Sequence, residues 1–207
     1  EKVGNDIYLL YNDKVVKNTS DPSTESPPPP SAEPLDVALQ LGQDLSSVTS
    51  LDAFGQSVSM NQDGTIFAIG VPYSNMNVGY VRVYQWNGTD TWIQLGQDII
   101  GEVALDRSGS SVSLSSDGTI VAIGCPGQSW SAKGRCRVYQ YTNNTWAKLG
   151  NDFAIGDFDG NKSGDVITLS SDGTIVAVGA KNYDGPENNS EWDNHGYVRV
   201  YQWNGTI

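Results

Sequence analysis

The chain has 207 residues, with 24 acidic and 12 basic side chains, one histidine and a net charge of −12. That excess of acid excludes the Lys/Arg footprint of a nucleic-acid binder and of a protein docking on anionic membrane surfaces. No apolar run approaches the roughly 18 residues of a membrane span, and a chain rich in Gly, Ser, Thr, Asn, Val and Tyr reads as all-β.

In chain order, Ile7-Tyr8-Leu9-Leu10-Tyr11, the Asn12-Asp13 pair and Val15-Val16 predict a strand, a turn and a second strand. A hairpin of this size is not stable alone, so the N-terminal β segment, residues 1–18, must dock elsewhere. Residues 19–35 are rich in Pro, Ser and Thr, including four consecutive prolines, and predict an extended polyproline-type linker. A chain that opens on Glu1 reads as a processed form or a piece of something longer.

From residue 36 to 207 the sequence repeats itself. Leu41-Gly42-Gln43-Asp44 returns as Leu95-Gly96-Gln97-Asp98 and as Leu149-Gly150-Asn151-Asp152, at intervals of 54 residues. Each copy predicts four short strands. In the first copy these are Ser57 to Met60, residues 65–70, Tyr80 to Trp86 and residues 91–97, with an Asp63-Gly64 hairpin turn between the first two. Ile120-Val121-Ala122-Ile123 is apolar on both faces, as a strand in a sheet sandwiched between two neighbours must be. Four strands per repeat fit a propeller blade, and a stacked β-solenoid is the competing geometry. The fold class expected is therefore all-β, a β-propeller-like array of about three four-stranded blades with an extended N-terminal arm.

Phe54-Gly55 followed by Gly70-Val71-Pro72 resembles the Phe-Gly…Gly-Ala-Pro repeat of integrin-α-type β-propellers. Ser108-Gly109…Gly124-Cys125-Pro126 and Ser163-Gly164…Gly179-Ala180-Lys181 keep the glycines and lose parts of the motif ends. The repeats are also similar to ones in large secreted proteins of microalgae, which implies an extracellular setting. In the integrin-like family an Asp-rich loop between the first two strands often binds calcium. Here that loop is only Gln62-Asp63-Gly64 or Ser116-Asp117-Gly118, too short to supply the oxygens, so the resemblance implies no calcium there.

The strand count does not close. Residues 36–46 match the fourth strand of a blade, while the third copy runs only to its third strand before Ile207. About four to eight blades usually make a propeller ring. Strand 36–46 can complete the third blade of its own chain, complete a blade of a neighbouring chain and so propagate a polymer, or belong to a fragment whose other blades are missing.

Cys125 and Cys136 are the only cysteines and match Val71 and Val81 on adjacent strands, which predicts a disulfide across the hairpin. Asn-x-Ser/Thr sequons stand at Asn18, Asn87, Asn143, Asn161, Asn188 and Asn204, and a disulfide and sequons together point to a secreted, N-glycosylated chain. Asp157, Asp159, Asn161 and Asp165 have the spacing of calcium ligands, but Lys162 stands where a calcium loop needs glycine and no acid closes the loop, so an ordinary acidic turn competes with calcium. Trp86, Trp92, Tyr141, Trp146 and Trp203 recur with the period and predict packing between blades. Trp130 and Trp192 fall off the pattern and are the candidates for binding a sugar or a protein, as is the acidic insertion 181–196. No cofactor is expected apart from that calcium.

Nothing sets a nucleophile beside a base, fixes paired carboxylates in glycosidase geometry or cradles a phosphate. The reading is an extracellular glycosylated structural or adhesive repeat protein, not an enzyme. Its expected partner is itself, in an oligomer or filament built by N-terminal strand donation from residues 1–46. The alternative is a ligand-binding propeller domain of a larger secreted protein, recognising glycans or a surface protein.

Overall fold

The structure, a computed structural model, describes residues 8–11, 14–17, 40–47, 49, 51–127, 134–155, 162–181 and 196–205. The chain divides into two units, residues 1–39 and 40–207. In the first, β1 (Tyr8–Tyr11) pairs antiparallel with β2 (Lys14–Lys17). The linker, residues 19–35, lies outside the described residues.

The second unit is all-β, built as three successive antiparallel sheets, none of them closed. Sheet 1 contains β3 (Ser57–Met60), β4 (Ile66–Val71), β5 (Tyr80–Trp86), β6 (Trp92–Gln94) and β7 (Ile99–Ile100); β6 and β7 both pair with β5. Sheet 2 is β8 (Ser111–Leu114), β9 (Ile120–Cys125), β10 (Arg135–Thr142) and β11 (Thr145–Phe153), and sheet 3 is β12 (Val166–Leu169), β13 (Ile175–Ala180) and β14 (Tyr197–Gln202). Among the described residues no strand covers the outer edge of β14. Residues 40–46, expected as a fourth strand, form none among the described positions, and they do not complete sheet 3 of their own chain.

Each first hairpin closes by the same local chemistry. The Asp63, Asp117 and Asp172 carboxylates accept the N–H of Thr65, Thr119 and Thr174 at 3.1, 3.0 and 3.0 Å. The following glycines, Gly64, Gly118 and Gly173, take the left-handed φ that the turn needs. These turns also bond to each other. Gln62 N–H donates to Ser116 O (3.0 Å), and Ser116 N–H donates to Ser171 O (2.7 Å).

The sheets stack through their first strands: β8 packs on β3 and β4, and β12 packs on β8 and β9. Strand alternation divides β9 between two cores. Val121, Ile123 and Cys125 join Ile66, Ala68, Val81 and Val83 between sheets 1 and 2. Ala122, on the other face, joins Cys136, Ile167, Val176 and Val178 between sheets 2 and 3. A third cluster, on the far side of sheet 1, holds Ile69, Val71, Tyr84 and Trp92 under Leu45 and Phe54.

The sheets meet most closely where backbone touches backbone. A Cβ on Gly70 would lie 1.9 Å from the Gly109 carbonyl oxygen, and one on Gly124 would lie 2.0 Å from that of Gly164. Gly109 and Gly164 sit at φ +89 and +92, so both partners of each joint need glycine. The Ser-Gly and Gly-Val-Pro/Gly-Cys-Pro signatures are thus the two halves of a sheet-to-sheet joint. Gly124→Ala is expected to cost about 3 kcal/mol in denaturant unfolding, because neither carbonyl nor sheet can give way. Gly179→Ala, whose Cβ would lie 3.5 Å from its nearest neighbour, Val166 Cβ, is expected to stay within about 0.5 kcal/mol. Equal effects would contradict the joint.

Candidate functional site

The repeated Leu-Gly-Gln-Asp motif has work on both sides. In the first copy Trp92 Nε1 donates to Leu41 O (2.9 Å), while Gln43 accepts from Trp92 N–H and donates to Trp92 O, both at 2.9 Å. In the second copy Trp146 Nε1 donates to Leu95 O (2.8 Å), and Gln97 grips Trp146 N–H and O at 3.0 Å. Gly42 and Gly96 let the indoles close in: a Cβ would meet the Trp86 ring at 2.8 Å and the Trp146 ring at 2.9 Å. The aromatic ladder is therefore packing, with Trp86 tilted on Trp92 and Tyr141 on Trp146, each at 5.1 Å. Asp98 turns the other way and takes the Arg82 guanidinium in a two-pronged pair at 2.6 Å.

In sheet 2 the same Arg–Asp pair grows into a buried charge cluster. Arg137, 1% exposed, donates Nε to Asp152 (3.1 Å), places NH1 2.9 Å from Asp106 and contacts the Cys125 sulfur at 3.4 Å. Lys148 bridges Glu102 (2.8 Å) and Asp152. Burial works against the Arg137 charge, but the Cys125 sulfur and the Asp152 and Asp106 carboxylates outweigh it and hold the group above its ordinary value. Burial alone would raise the Asp152 carboxyl; bonds from Lys148 and Arg137 overcome that and leave it below the usual carboxylate range. Arg137 NH2 makes no hydrogen bond but lies 3.0 Å from Asp152, so the cluster ties β10 to β11 chiefly by charge.

Cys125 and Cys136 are buried free thiols, which corrects the expected disulfide. On the β9–β10 ladder Cys125 stands opposite Arg135 and Cys136 opposite Gly124, so the two are one rung apart. A one-residue offset reverses the face, and the sulfurs enter different cores. Val71 and Val81 are offset in the same way. Burial pushes the Cys125 thiol up to about 11, against the pull of Arg137, and drives the Cys136 thiol up as well.

Three sequons fall on described, exposed turns. Asn143, with Asn144, turns β10 into β11 at φ +51 and +64. The Asn87 side-chain oxygen accepts the Thr89, Asp90 and Thr91 N–H groups, and its amide nitrogen donates to Asp90 (3.1 Å). Asn204 follows β14. Asn18, Asn161 and Asn188 lie outside the described residues, as do Asp157 and Asp159 of the calcium candidate, Trp130, Trp192 and the insertion beyond Lys181. Asp165, the one described member of the calcium set, lies 3.0 Å from Lys181 Nζ. Among the described residues no group of three or more His, Cys, Asp or Glu is placed to hold a metal, and no helix is long and apolar enough to cross a membrane.

The feature that sequence reading missed is the open face of sheet 3. Val81 and Val83 of β5 are fully buried against sheet 2, and Cys136 of β10 is fully buried against sheet 3. Their counterparts on β14, Val198 and Val200, are 73% and 63% exposed. Gly179, the counterpart of Gly70 and Gly124, meets only Val166 of its own sheet and, among the described residues, no carbonyl of another sheet, and Gly55, the counterpart of Gly109 and Gly164, has nothing within 4 Å. On the far side of sheet 1, Val58 and Met60 are exposed where Val112 and Leu114 are buried. The signal was present in the repeat, because positions equivalent in sequence differ only in having a neighbour. The same face walls a cleft of about 870 Å³ that also takes in Arg107, Lys162, Lys181, Tyr73 and Gln56.

A scan against protein-family models gives no match, and neither does a search of curated proteins.

Two outcomes are expected from this geometry. The native protein should carry two free thiols by intact mass, unreactive to a thiol reagent until it unfolds; a mass two hydrogens lighter would restore the disulfide. Because the folded Asp152 carboxyl is held below its ordinary value of 3.8, its contribution is complete above about pH 4 and is lost as pH falls through the lower folded value. Asp152→Asn should lower stability at neutral pH and flatten the acid limb, and an unchanged limb would show that the cluster contributes nothing.

Proposed function

We propose that this chain is an extracellular, N-glycosylated structural or adhesive protein with propeller-like stacking of its sheets. Its copies join head to tail, the far side of sheet 1 of one copy covering the open face of sheet 3 of the next. The observation that carries this reading is the exposure of Val198 and Val200 at positions that are buried in the joints within the chain, completely at Val81, Val83 and Cys136 and in part at Val138. Exposed apolar patches of this kind mark interaction surfaces. The unmated glycines at the two ends, Gly179 and Gly55, are the two halves of the joint already made at Gly70–Gly109 and Gly124–Gly164. The surface they define is heterologous, which gives rings or filaments depending on the rotation per copy. With the cysteines reduced, the extracellular setting rests on the sequons, of which Asn143 on its exposed two-residue turn is best presented.

The arrangement also supports a second reading. The cleft beside sheet 3 gathers Arg107, Lys162 and Lys181 against one carboxylate, Asp165, which pairs with Lys181, and in a protein of net charge −12 this net positive lining suits an anionic ligand such as an acidic glycan.

Light scattering and negative-stain microscopy on the full chain at physiological salt test the first reading. Regular oligomers or fibres are expected. Gly179→Ala should fold normally and reduce the particle to a monomer, since its methyl would occupy the place of the incoming Gly55 carbonyl. A wild-type monomer at all concentrations overturns assembly and turns attention to the cleft.

A further inference from the structure

A head-to-tail array needs something that specifies the partner, and among the described residues the Arg–Asp pair repeated in sheets 1 and 2 has one unpaired half at each end of the unit. In sheet 1, Arg82 of β5, opposite Ile69 on the ladder, is held by Asp98. In sheet 2, Arg137 of β10, opposite Ile123, is held by Asp152. In sheet 3, Arg199 of β14 stands opposite Val178 at the same place on the ladder. It is exposed, and no carboxylate among the described residues pairs with it.

The missing carboxylate exists at the other end of the unit. Asp44 belongs to the first Leu-Gly-Gln-Asp copy, and among the described residues it meets no cation. Its segment already holds the bonded form seen next to Arg82. Gln40 Nε2 donates to Gly42 O (3.1 Å) and Asp44 Oδ1 (2.9 Å), as Gln94 Nε2 donates to Gly96 O and Asp98 Oδ1, both at 3.1 Å. Gly42 and Gly96 share their left-handed φ, +80 and +74. Leu41 and Gln43 are meanwhile clamped on Trp92, as Leu95 and Gln97 are on Trp146. Asp44 is thus preorganised, fastened to the sheet that must seat on the next copy, and lacks only a guanidinium.

We propose that residues 40–46 of one copy complete sheet 3 of the next along the free edge of β14, with Asp44 taking Arg199 of that copy in the two-pronged pair that Asp98 makes with Arg82. This rests on the head-to-tail reading and names the residues that select the partner as a second copy of this chain. Leu41, Gly42 and Gln43 stay on their own Trp92, so the segment holds its own sheet 1 while its edge seals the neighbour's sheet 3. The Thr168 hydroxyl, at the place of Ser59 and Ser113, then meets the N–H of Met60, as those serines meet the N–H groups of Leu114 and Leu169 at 2.9 Å.

The test uses the full chain carrying Asp44→Arg or Arg199→Asp, followed by sedimentation velocity. Each variant alone places like charges at every joint, and its self-association should weaken on the order of a hundredfold. In an equimolar mixture the introduced arginine of one variant faces the introduced aspartate of the other at one joint, and the native Asp44 and Arg199 meet at the next. The mixture should therefore assemble as the wild type does. The double variant, with the pair reversed in one chain, should also assemble alone. Recovery on mixing shows that both single variants are folded. If the wild type assembles and the single variants assemble equally well, the Asp44–Arg199 joint is wrong and the head-to-tail reading stands. If the wild type is monomeric, both fall.

Discussion

The distance between sheets is set where the backbone of one touches the backbone of the next, at Gly70 against Gly109 and Gly124 against Gly164. Everything else in the stack follows from that approach. With the sheets so close, a strand such as β9 has protein on both faces and must be apolar on both. The serines of the first strands can then reach N–H groups of the next sheet, and a tryptophan ring can close on a glycine. A single methyl at the joint would separate the sheets and weaken all of these contacts together, because close-packed interfaces lose contact energy steeply with small gaps.

Specific polar contacts fix the register that the glycines permit. The Gln–Trp clamp joins residues 49 apart in sequence, one repeat to the next, through a side chain bonded to both backbone groups of its target. The Arg–Asp pair works within one sheet, and in sheet 1 it ties the third strand to the segment that carries the Gln97 clamp. The motif therefore holds its own sheet with one residue and the next sheet with its neighbour. In the middle sheet the pair gains Asp106, Glu102 and Lys148, and burial there demands that every charge find a partner.

Much of this was legible in the sequence. The all-β class, the repeat and the places of the strands followed from alternation and from Asp-Gly turns; β5 has the bounds that the pattern predicted, and β4 is displaced by one residue. The packing role of Trp92 and Trp146 followed from their period. What failed was anything that depended on pairing register. Cys125 and Cys136 were placed on the right strands, but facing is decided by which residue stands opposite which, and one rung separates a bridge from two cores. The clamp was hidden for a related reason, since a recurring spacing between Gln and Trp does not say that one bonds the other's backbone. The open face of sheet 3 needed the burial of equivalent valines to be compared across the three sheets.

The bonds between hairpin turns all point one way, from Gln62 N–H to Ser116 O and from Ser116 N–H to Ser171 O. The ladder therefore offers an acceptor at Gln62 O and a donor at Ser171 N–H, so the stack has a direction like an arrow. Two arrows meeting point to point would bring donor to donor, which disfavours a twofold face-to-face pair. An open filament of this unit would have chemically distinct ends, each with its own rates of gaining and losing subunits, and growth could be blocked at one end while continuing at the other.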